Sequence, residues 1–204
     1  MKKEKKEMDI VFLLDRSGSM GGMEEDTIGG YNSYLNEQKK NNVNVTTILF
    51  DDKYEVLHQR EDIKNINNLT RKEYYVRGCT ALLDAIGKTI NLMDNEKASK
   101  VIFIITTDGL ENASREYHKD QIKEMINNHP NWEFMYIGAD IDSYSEGEAI
   151  GIKKNNISNY QKNKSGVKKL FSSLGKASKS YYESESVCAD WKDELENYLD
   201  NNID

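Results

Sequence analysis

The sequence predicts an α/β protein with an open, mainly parallel sheet that carries helices on both faces. Short apolar runs, typical of strands buried on both sides, alternate along the chain with segments whose apolar residues repeat at helical spacing. One of these strands is followed at once by a short hairpin partner. The 204 residues contain a single proline and no internal repeat, so one domain with a sizeable core is expected.

The N-terminal half supplies the first two strands. The apolar residues 10–14 predict a strand, and residues 24–40 predict a helix, although the pair Gly29 and Gly30 weakens it by about 1 kcal/mol each. Residues 43–52 predict the second strand and residues 54–59 its hairpin partner. The polar stretch that follows, as far as Gly78, is expected to form a long loop.

The C-terminal half continues the alternation. Thr80 is expected to be the N-cap of a helix, because threonine hydroxyls commonly accept hydrogen bonds there. The later predicted elements are a strand at 100–109, a helix that ends before Pro130, a strand at 132–140, a short helix at 142–152, a strand at 156–160 and a helix through Tyr181. We place the domain at residues 8–184 and an amphipathic tail, expected to pack on that domain, at 185–204.

Charge, the length of the apolar runs and cysteine content disfavour several classes of protein. With 28 basic and 35 acidic residues, the net charge of −7 disfavours nucleic-acid and anionic-membrane binding. No apolar run approaches the roughly 20 residues that span a bilayer, and the charged residues 1–9 do not resemble a signal peptide. Cys79 and Cys188 lack metal-type spacing and are expected to be reduced thiols in a cytoplasmic protein.

Oxygen-bearing side chains cluster where the predicted strands end. Asp15, Ser17 and Ser19 alternate directly after the first strand, so their side chains can converge. Taken alone, such a loop is more often a polar turn. Thr80 and Asp108 lie at two other predicted strand and helix ends, and the carboxyl edge of a parallel sheet would bring them close. Carboxylates and hydroxyls without histidine or cysteine favour Mg²⁺ or Mn²⁺ over Zn²⁺.

These residues resemble a known family. The "DRSGS" at 15–19, the threonine of "GCTALLDAI" and the aspartate of "ITTDG" are similar to the metal-ion-dependent adhesion site (MIDAS) of von Willebrand factor type A domains. The resemblance covers about residues 8–174. It implies a Rossmann-like, doubly wound sheet with one antiparallel edge strand. Cys79 departs from the pattern, because glycine is common at that position.

The resemblance also implies a function. A divalent ion, Mg²⁺ or Mn²⁺, would be held by Asp15, Ser17, Ser19, Thr80 and Asp108, and a partner's Asp or Glu would complete its shell. The chain would then be a non-enzymatic protein-interaction domain. It is similar to the small stand-alone members of bacteria and their phages, for which the implied partners are ATPases or assembly complexes. No membrane partner is expected.

Four further acidic residues lie near the predicted site. Asp51 ends the second strand, Glu111 follows Asp108, and Asp140 and Asp142 follow the strand at 132–140. Each is a candidate for the rim of the site, where it would contact the water shell of the metal. The alternative, a turn former or helix cap, is the more frequent role of such residues.

An enzymatic alternative uses the same aspartate. Asp15 could act as the nucleophile of a Mg²⁺-dependent phosphotransfer hydrolase. Such an enzyme generally places a second acid two residues later to protonate the leaving group. That position holds Ser17, whose hydroxyl is a poor acid near neutral pH, so the sequence favours the non-enzymatic reading.

Overall fold

A six-stranded sheet forms the centre of the molecule. The computed structural model describes residues 8–201. The expected absence of a signal peptide concerns residues 1–7 above all, and the predicted tail includes residues 202–204; both stretches lie outside the described residues. The strands are β1 (Met8–Asp15), β2 (Val43–Phe50), β3 (Tyr54–Asp62), β4 (Val101–Thr107), β5 (Glu133–Gly138) and β6 (Ile157–Asn159).

The order of the strands is β3-β2-β1-β4-β5-β6. Every neighbouring pair is parallel except β2 and β3, which form the antiparallel edge. The helices are α1 (Glu24–Gln38), α2 (Leu82–Asn95), α3 (Lys119–Asn127), α4 (Ser143–Ala149), α5 (Lys164–Ser184) and α6 (Asp193–Asp200). The predicted Rossmann-like fold is confirmed, including its one antiparallel edge strand.

The two faces of the sheet carry separate hydrophobic cores. Alternate residues of β1 point to opposite faces, so Phe12 joins one core and Leu13 the other. Apolar residues of α1, α5 and α6 pack on the first face, and those of α2 and α3 on the second. Because residues 10–14 of β1 are all apolar and the whole strand is buried, it was recognisable in the sequence as a central strand.

Gly30 in α1 has a packing role that offsets its poor helix propensity. A Cβ atom at this position would lie 2.1 Å from the ring of Phe171 in α5. The missing side chain therefore lets the two helices approach closely. The ring of Phe171 in turn lies 6.5 Å from that of Phe12, in the first core.

The segment between β3 and α2 is more ordered than its polarity suggests. Strand β3 continues to Asp62, three residues beyond the predicted end, and a 3₁₀ turn spans Ile63–Asn65. Beyond that turn, Leu69 and Tyr74 are buried in the first core. The apolar residues here are spaced irregularly, so no helical or strand period marked them as core.

The C-terminal segment packs against the rest of the chain. Trp191 is buried, its indole N–H donates to the carbonyl of Asn155 at 2.8 Å, and Leu195 of α6 is fully buried. Helix α5 ends at Ser184, and Glu185 follows in the left-handed conformation at φ 63°. Among residues 8–201, no helix combines the length and apolarity that crossing a membrane requires.

Candidate metal site

The five predicted ligands lie at the carboxyl edge of the sheet, where the strand order reverses. β1 pairs with β2 on one side and β4 on the other, and this is the position at which open α/β sheets bind ligands. Asp15 is the last residue of β1, and Asp108 directly follows β4. Thr80 reaches the same edge from the segment that precedes α2.

The polar groups of the loop after β1 contact one another. The backbone N–H of Ser17 donates to Asp15 Oδ1 at 2.7 Å, and the hydroxyls of Ser17 and Ser19 lie 3.1 Å apart. The hydroxyl of Tyr74 donates to the carbonyl of Asp15 at 2.5 Å and holds the end of the strand from the other side. Asp15 and Ser17 are buried, whereas Ser19 is exposed, so the cluster opens to solvent through Ser19.

Asp108 closes the cluster from β4. The Ser19 hydroxyl donates to Asp108 Oδ1 at 2.5 Å. The neighbouring Thr107 donates its hydroxyl to Asp15 Oδ2 at 2.6 Å, so two adjacent residues at the end of β4 contact β1 and the loop that follows it. The spacing of β1 and β4 therefore brings residues about 90 positions apart into direct hydrogen-bond contact.

Thr80 contributes its hydroxyl beside Gly109. A Cβ atom at Gly109 would lie 2.8 Å from Thr80 Oγ1 and 3.3 Å from Ser19 Oγ, so only glycine leaves room for both oxygens. The prediction that Thr80 is a helix N-cap is wrong. Helix α2 begins at Leu82, the N-cap position is Ala81, and no side chain caps it. The Thr80 hydroxyl faces the site instead.

This oxygen set fits a hard divalent cation. Two carboxylates and three hydroxyls border one small region, with no histidine or cysteine side chain among them. Within residues 8–201, no three His, Cys, Asp or Glu side chains form a group that could hold a metal. An ion at this site would therefore rely on neutral hydroxyls for much of its shell, as Mg²⁺ and Mn²⁺ tolerate.

Asp15 is an unusually basic carboxylate. Burial raises the pKa of Asp15 to about 6, although hydrogen bonds from Thr107 and Ser17 act in the opposite direction. The negative charge of Asp108 raises that pKa further. The pKa thus reflects a carboxylate in a dry site whose hydrogen bonds do not compensate fully for lost water.

The side chains of Glu111 and Asn112 accept hydrogen bonds from the backbone around the start of α2. The carboxylate of Glu111 accepts hydrogen bonds from the backbone N–H groups of Leu83, Ala113 and Ser114 and from the Ser114 hydroxyl. Asn112 Oδ1 accepts from the Thr80 N–H at 2.9 Å. Through these contacts the loop after β4 holds the start of α2 in place.

Two arginines donate hydrogen bonds to the carboxylate of Asp51. Its Oδ2 atom accepts from Arg16 Nε at 2.9 Å and Arg77 Nε at 2.8 Å, and its Oδ1 atom accepts from the Lys53 N–H. Burial raises the pKa of Asp51, but the hydrogen bonds from Arg77, Lys53 and Arg16 outweigh it, and the net pKa is lowered. Arg16 also contacts Glu55 at 2.6 Å.

The two acidic residues after β5 lie in the loop before α4. Asp142 caps that helix by accepting from the Ser145 N–H at 3.0 Å. Asp140 is exposed, has a positive φ of 56° and lines a surface cavity of about 400 Å³ together with Tyr160 and Leu199.

Thr107 and Lys162 contact the carboxylates of predicted ligands directly and were not themselves predicted. Thr107 could have been suspected, since it lies in the "ITTDG" motif beside Asp108. Lys162 carried no such signal: it follows β6, and its ammonium nitrogen lies 2.7 Å from Asp108 Oδ2. Only the folding of the sheet brings this loop to the site.

Comparison with known proteins identifies the family. The model of the von Willebrand factor type A domain matches residues 10–111, a segment that holds all five of the side chains above. The chain belongs to this family. Among curated protein sequences, none matches this vWA chain.

Solved structures share the fold of this vWA domain. Proximal thread matrix protein 1 from the mussel byssus has a TM-score of 0.62 at 15% identity, over 83% of this chain and 45% of that protein. The vWA protein of Catenulispora acidiphila has a TM-score of 0.63 at 13% identity, over 85% and 43%. The chain thus spans less than half the length of either protein.

Two solved structures of relatives were determined with a metal. One form of the mussel protein has a zinc-occupied MIDAS motif, with a TM-score of 0.61 at 15% identity over 83% of this chain and 45% of that one. The TRAP protein of Plasmodium vivax is manganese-loaded, with a TM-score of 0.60 at 21% identity over 82% of this chain and 74% of that one. At these identities the likeness establishes the shared fold.

Proposed function

We propose that this vWA domain binds a carboxylate of a protein partner through a divalent ion. Asp15, Ser17, Ser19, Thr80 and Asp108 would hold the ion, with Mg²⁺ or Mn²⁺ as the metal. The observation that carries the proposal is that the Ser19 hydroxyl contacts both the Ser17 hydroxyl and Asp108. The Thr80 hydroxyl lies beside them at Gly109, and Asp15 is bonded to Thr107, the residue before Asp108. When bound, the ion would supply a positive centre that attracts an external Asp or Glu.

The surroundings of the site support a protein partner. Leu110 and Tyr75, with exposed fractions of 54% and 43%, are the most exposed large apolar side chains in the described part of the chain. Both lie on loops that carry the site, since Leu110 follows Gly109 and Tyr75 stacks on Arg16. An acidic residue flanked by apolar side chains would suit this surface.

We also propose that the domain has no catalytic activity. Asp15 is fully buried and both of its carboxylate oxygens already accept hydrogen bonds, which disfavours it as a nucleophile. The position two residues on is Ser17, a poor acid. Hydrolysis of p-nitrophenyl phosphate in Mg²⁺ that disappears in Asp15→Asn would overturn this part and favour the phosphotransfer alternative.

The wider biological setting is also proposed. We place the metal-binding domain at residues 8–184 and a covering tail at residues 185–204. The free thiols Cys79 and Cys188 suit a cytoplasmic location. A bacterial or phage assembly complex or ATPase is the partner class we expect, and neither nucleic acid nor a membrane is part of the proposal.

Thermal unfolding tests the metal site. Mg²⁺ or Mn²⁺ at 100 times its dissociation constant should stabilise the wild-type chain by about 2.7 kcal/mol, or roughly 5–10 °C in Tm, relative to EDTA. Asp15→Asn should abolish this shift. The control is Asp120→Asn, which removes the same charge from an exposed position in α3 and should retain the shift.

Peptide selection tests the carboxylate. Peptides displayed on phage would be selected in Mg²⁺ and eluted with EDTA. Replacing one Asp or Glu of a selected peptide by its amide should abolish binding to the wild-type chain. Selected peptides that bind equally well in EDTA, or without any acidic residue, would contradict the proposed mode of recognition.

A further inference from the structure

Lys162 places a cation from another loop on the candidate metal site. Its ammonium nitrogen lies 2.7 Å from Asp108 Oδ2 and donates a hydrogen bond to the Ser19 carbonyl at 2.6 Å. Ser19 and Asp108 are two of the five proposed ligands. The lysine thus reaches the cluster from outside the three segments that carry the motif.

The loop that carries Lys162 is held on both sides. The Tyr160 N–H donates to the Gly138 carbonyl at 2.9 Å and ties the start of the loop to β5. On the other side, Asn163 caps α5 by accepting from the Gly166 N–H at 2.8 Å. The Cα of Lys162 is therefore fixed, while its side chain retains four rotatable bonds through which the ammonium group can move away.

The contact covers the oxygen that a metal would need. The Asp108 side chain is fully buried, and Oδ1 accepts from Ser19. Oδ2 receives no aligned hydrogen bond from any described residue, and its close neighbour is the Lys162 ammonium, which is 24% exposed. In the region described, Lys162 is the one basic side chain within ion-pair distance of Asp108.

We propose that Lys162 is a tethered competitor of the metal ion, which neutralises Asp108 until a divalent cation displaces it. This inference rests on the proposed metal site. An ammonium group and a divalent ion cannot both contact Oδ2 without strong repulsion, because little water would lie between them. Lys162 therefore lowers the affinity of the site for metal and stabilises the metal-free protein.

Direct titration of Mn²⁺ tests the competition. Lys162→Met keeps a long apolar side chain but removes the charge, and it should bind Mn²⁺ at least tenfold more tightly than the wild type in calorimetry. Lys164→Met is the matched control, since this exposed lysine is two residues away and its loss changes the net charge equally. Its affinity should stay within twofold of wild type.

Thermal unfolding in EDTA gives a second readout. Lys162→Met should have a lower Tm than the wild type, because Asp108 is left buried without a cation, and a larger rise in Tm when Mn²⁺ is added. Lys162→Arg retains the charge, so its affinity for Mn²⁺ should remain closer to wild type than that of Lys162→Met. If Lys162→Met does not fold, Lys162→Arg is measured in its place. An affinity of Lys162→Arg for Mn²⁺ above that of the wild type would overturn the inference, because the competing charge is still present.

The outcomes separate this inference from the proposed function. If the wild type binds Mn²⁺ and Lys162→Met binds it equally or more weakly, Lys162 does not compete and the inference fails alone. If neither chain binds Mn²⁺, the metal site and the inference both fail. If only Lys162→Met binds, the lysine blocks the site in the wild type and competition is supported in its strongest form.

Discussion

Asp15 and Asp51 are two buried aspartates at the ends of adjacent parallel strands, and they have opposite electrostatic environments. Asp15 pairs in register with Phe50, the residue before Asp51. Asp51 contacts Arg16 and Arg77 and has a lowered pKa. Asp15 contacts only hydrogen-bond donors without charge, and burial raises its pKa to about 6.

The difference shows that two aspartates at adjacent strand ends are not equivalent candidates for binding an external cation. Asp51 is neutralised by the chain's own arginines and helps to hold the loops together. Asp15 keeps a charge that no neighbouring basic side chain among the described residues contacts. A buried carboxylate of that kind is the better candidate for an external cation, because binding would relieve its desolvation.

The largest expected effect comes from breaking the arginine pairing. Arg16→Met should lower the free energy of unfolding by about 3–5 kcal/mol in urea, because it leaves Asp51 without its fully buried partner. Arg77→Met should cost about 1 kcal/mol or less, since Arg77 is partly exposed. Equal losses in the two variants would show that Arg16 is not the main partner.

The dependence of stability on pH should have opposite signs at the two aspartates. The pKa of Asp15 is raised from 3.8 to about 6, so its stabilising contribution is complete below pH 4 and is lost as the pH rises through 6. In EDTA at pH 8, Asp15→Asn should be more stable than wild type by on the order of 2 kcal/mol. Near pH 4 the two should be similar.

Asp51→Asn provides the comparison. The lowered pKa of Asp51 means that its ionised form stabilises the fold above its unfolded pKa, and this contribution is lost on acidification. Asp51→Asn should therefore be less stable than wild type at pH 8. Denaturation curves in which both variants shift in the same direction at pH 8 would contradict the contrast.

The pH dependence of metal binding should reveal the raised pKa of Asp15. Protons compete with the ion for Asp15, so the apparent affinity for Mn²⁺ should fall about tenfold for each pH unit below about 6. Calorimetric titrations at pH 5, 6, 7 and 8 would measure this. An affinity that stays constant down to pH 5 would mean that Asp15 is ionised with an ordinary pKa.

The smallest expected effect concerns Tyr75, which lies beside both arginines. Its ring centre is 5.5 Å from the Arg16 guanidinium carbon and 5.3 Å from that of Arg77. Tyr75→Ala should cost about 0.5–1 kcal/mol of unfolding free energy through lost cation–π contacts. Tyr75→Phe keeps the ring and should lie within about 0.5 kcal/mol of wild type, and a larger loss would assign the effect to the hydroxyl.

The order of strands and helices was determined by the sequence alone. Strands buried on both faces contain continuous apolar runs, and helices that cover a sheet have one apolar stripe, so β1, β4 and α2 were recognisable in the residue pattern. The "DRSGS" loop, Thr80 and Asp108 were likewise recognisable, because each combines a ligand-type side chain with a strand or helix end.

Only the tertiary structure decided which neighbours these side chains have. The end of β3, the position of Thr80 outside the helix cap and the pairing of Asp51 with two arginines depend on contacts between segments distant in sequence. Lys162 is the clearest case: 54 residues separate it from Asp108, and no local pattern predicts their 2.7 Å contact. Periodicity records which face of an element is buried, whereas charge pairing between loops exists only after the sheet has brought their ends together.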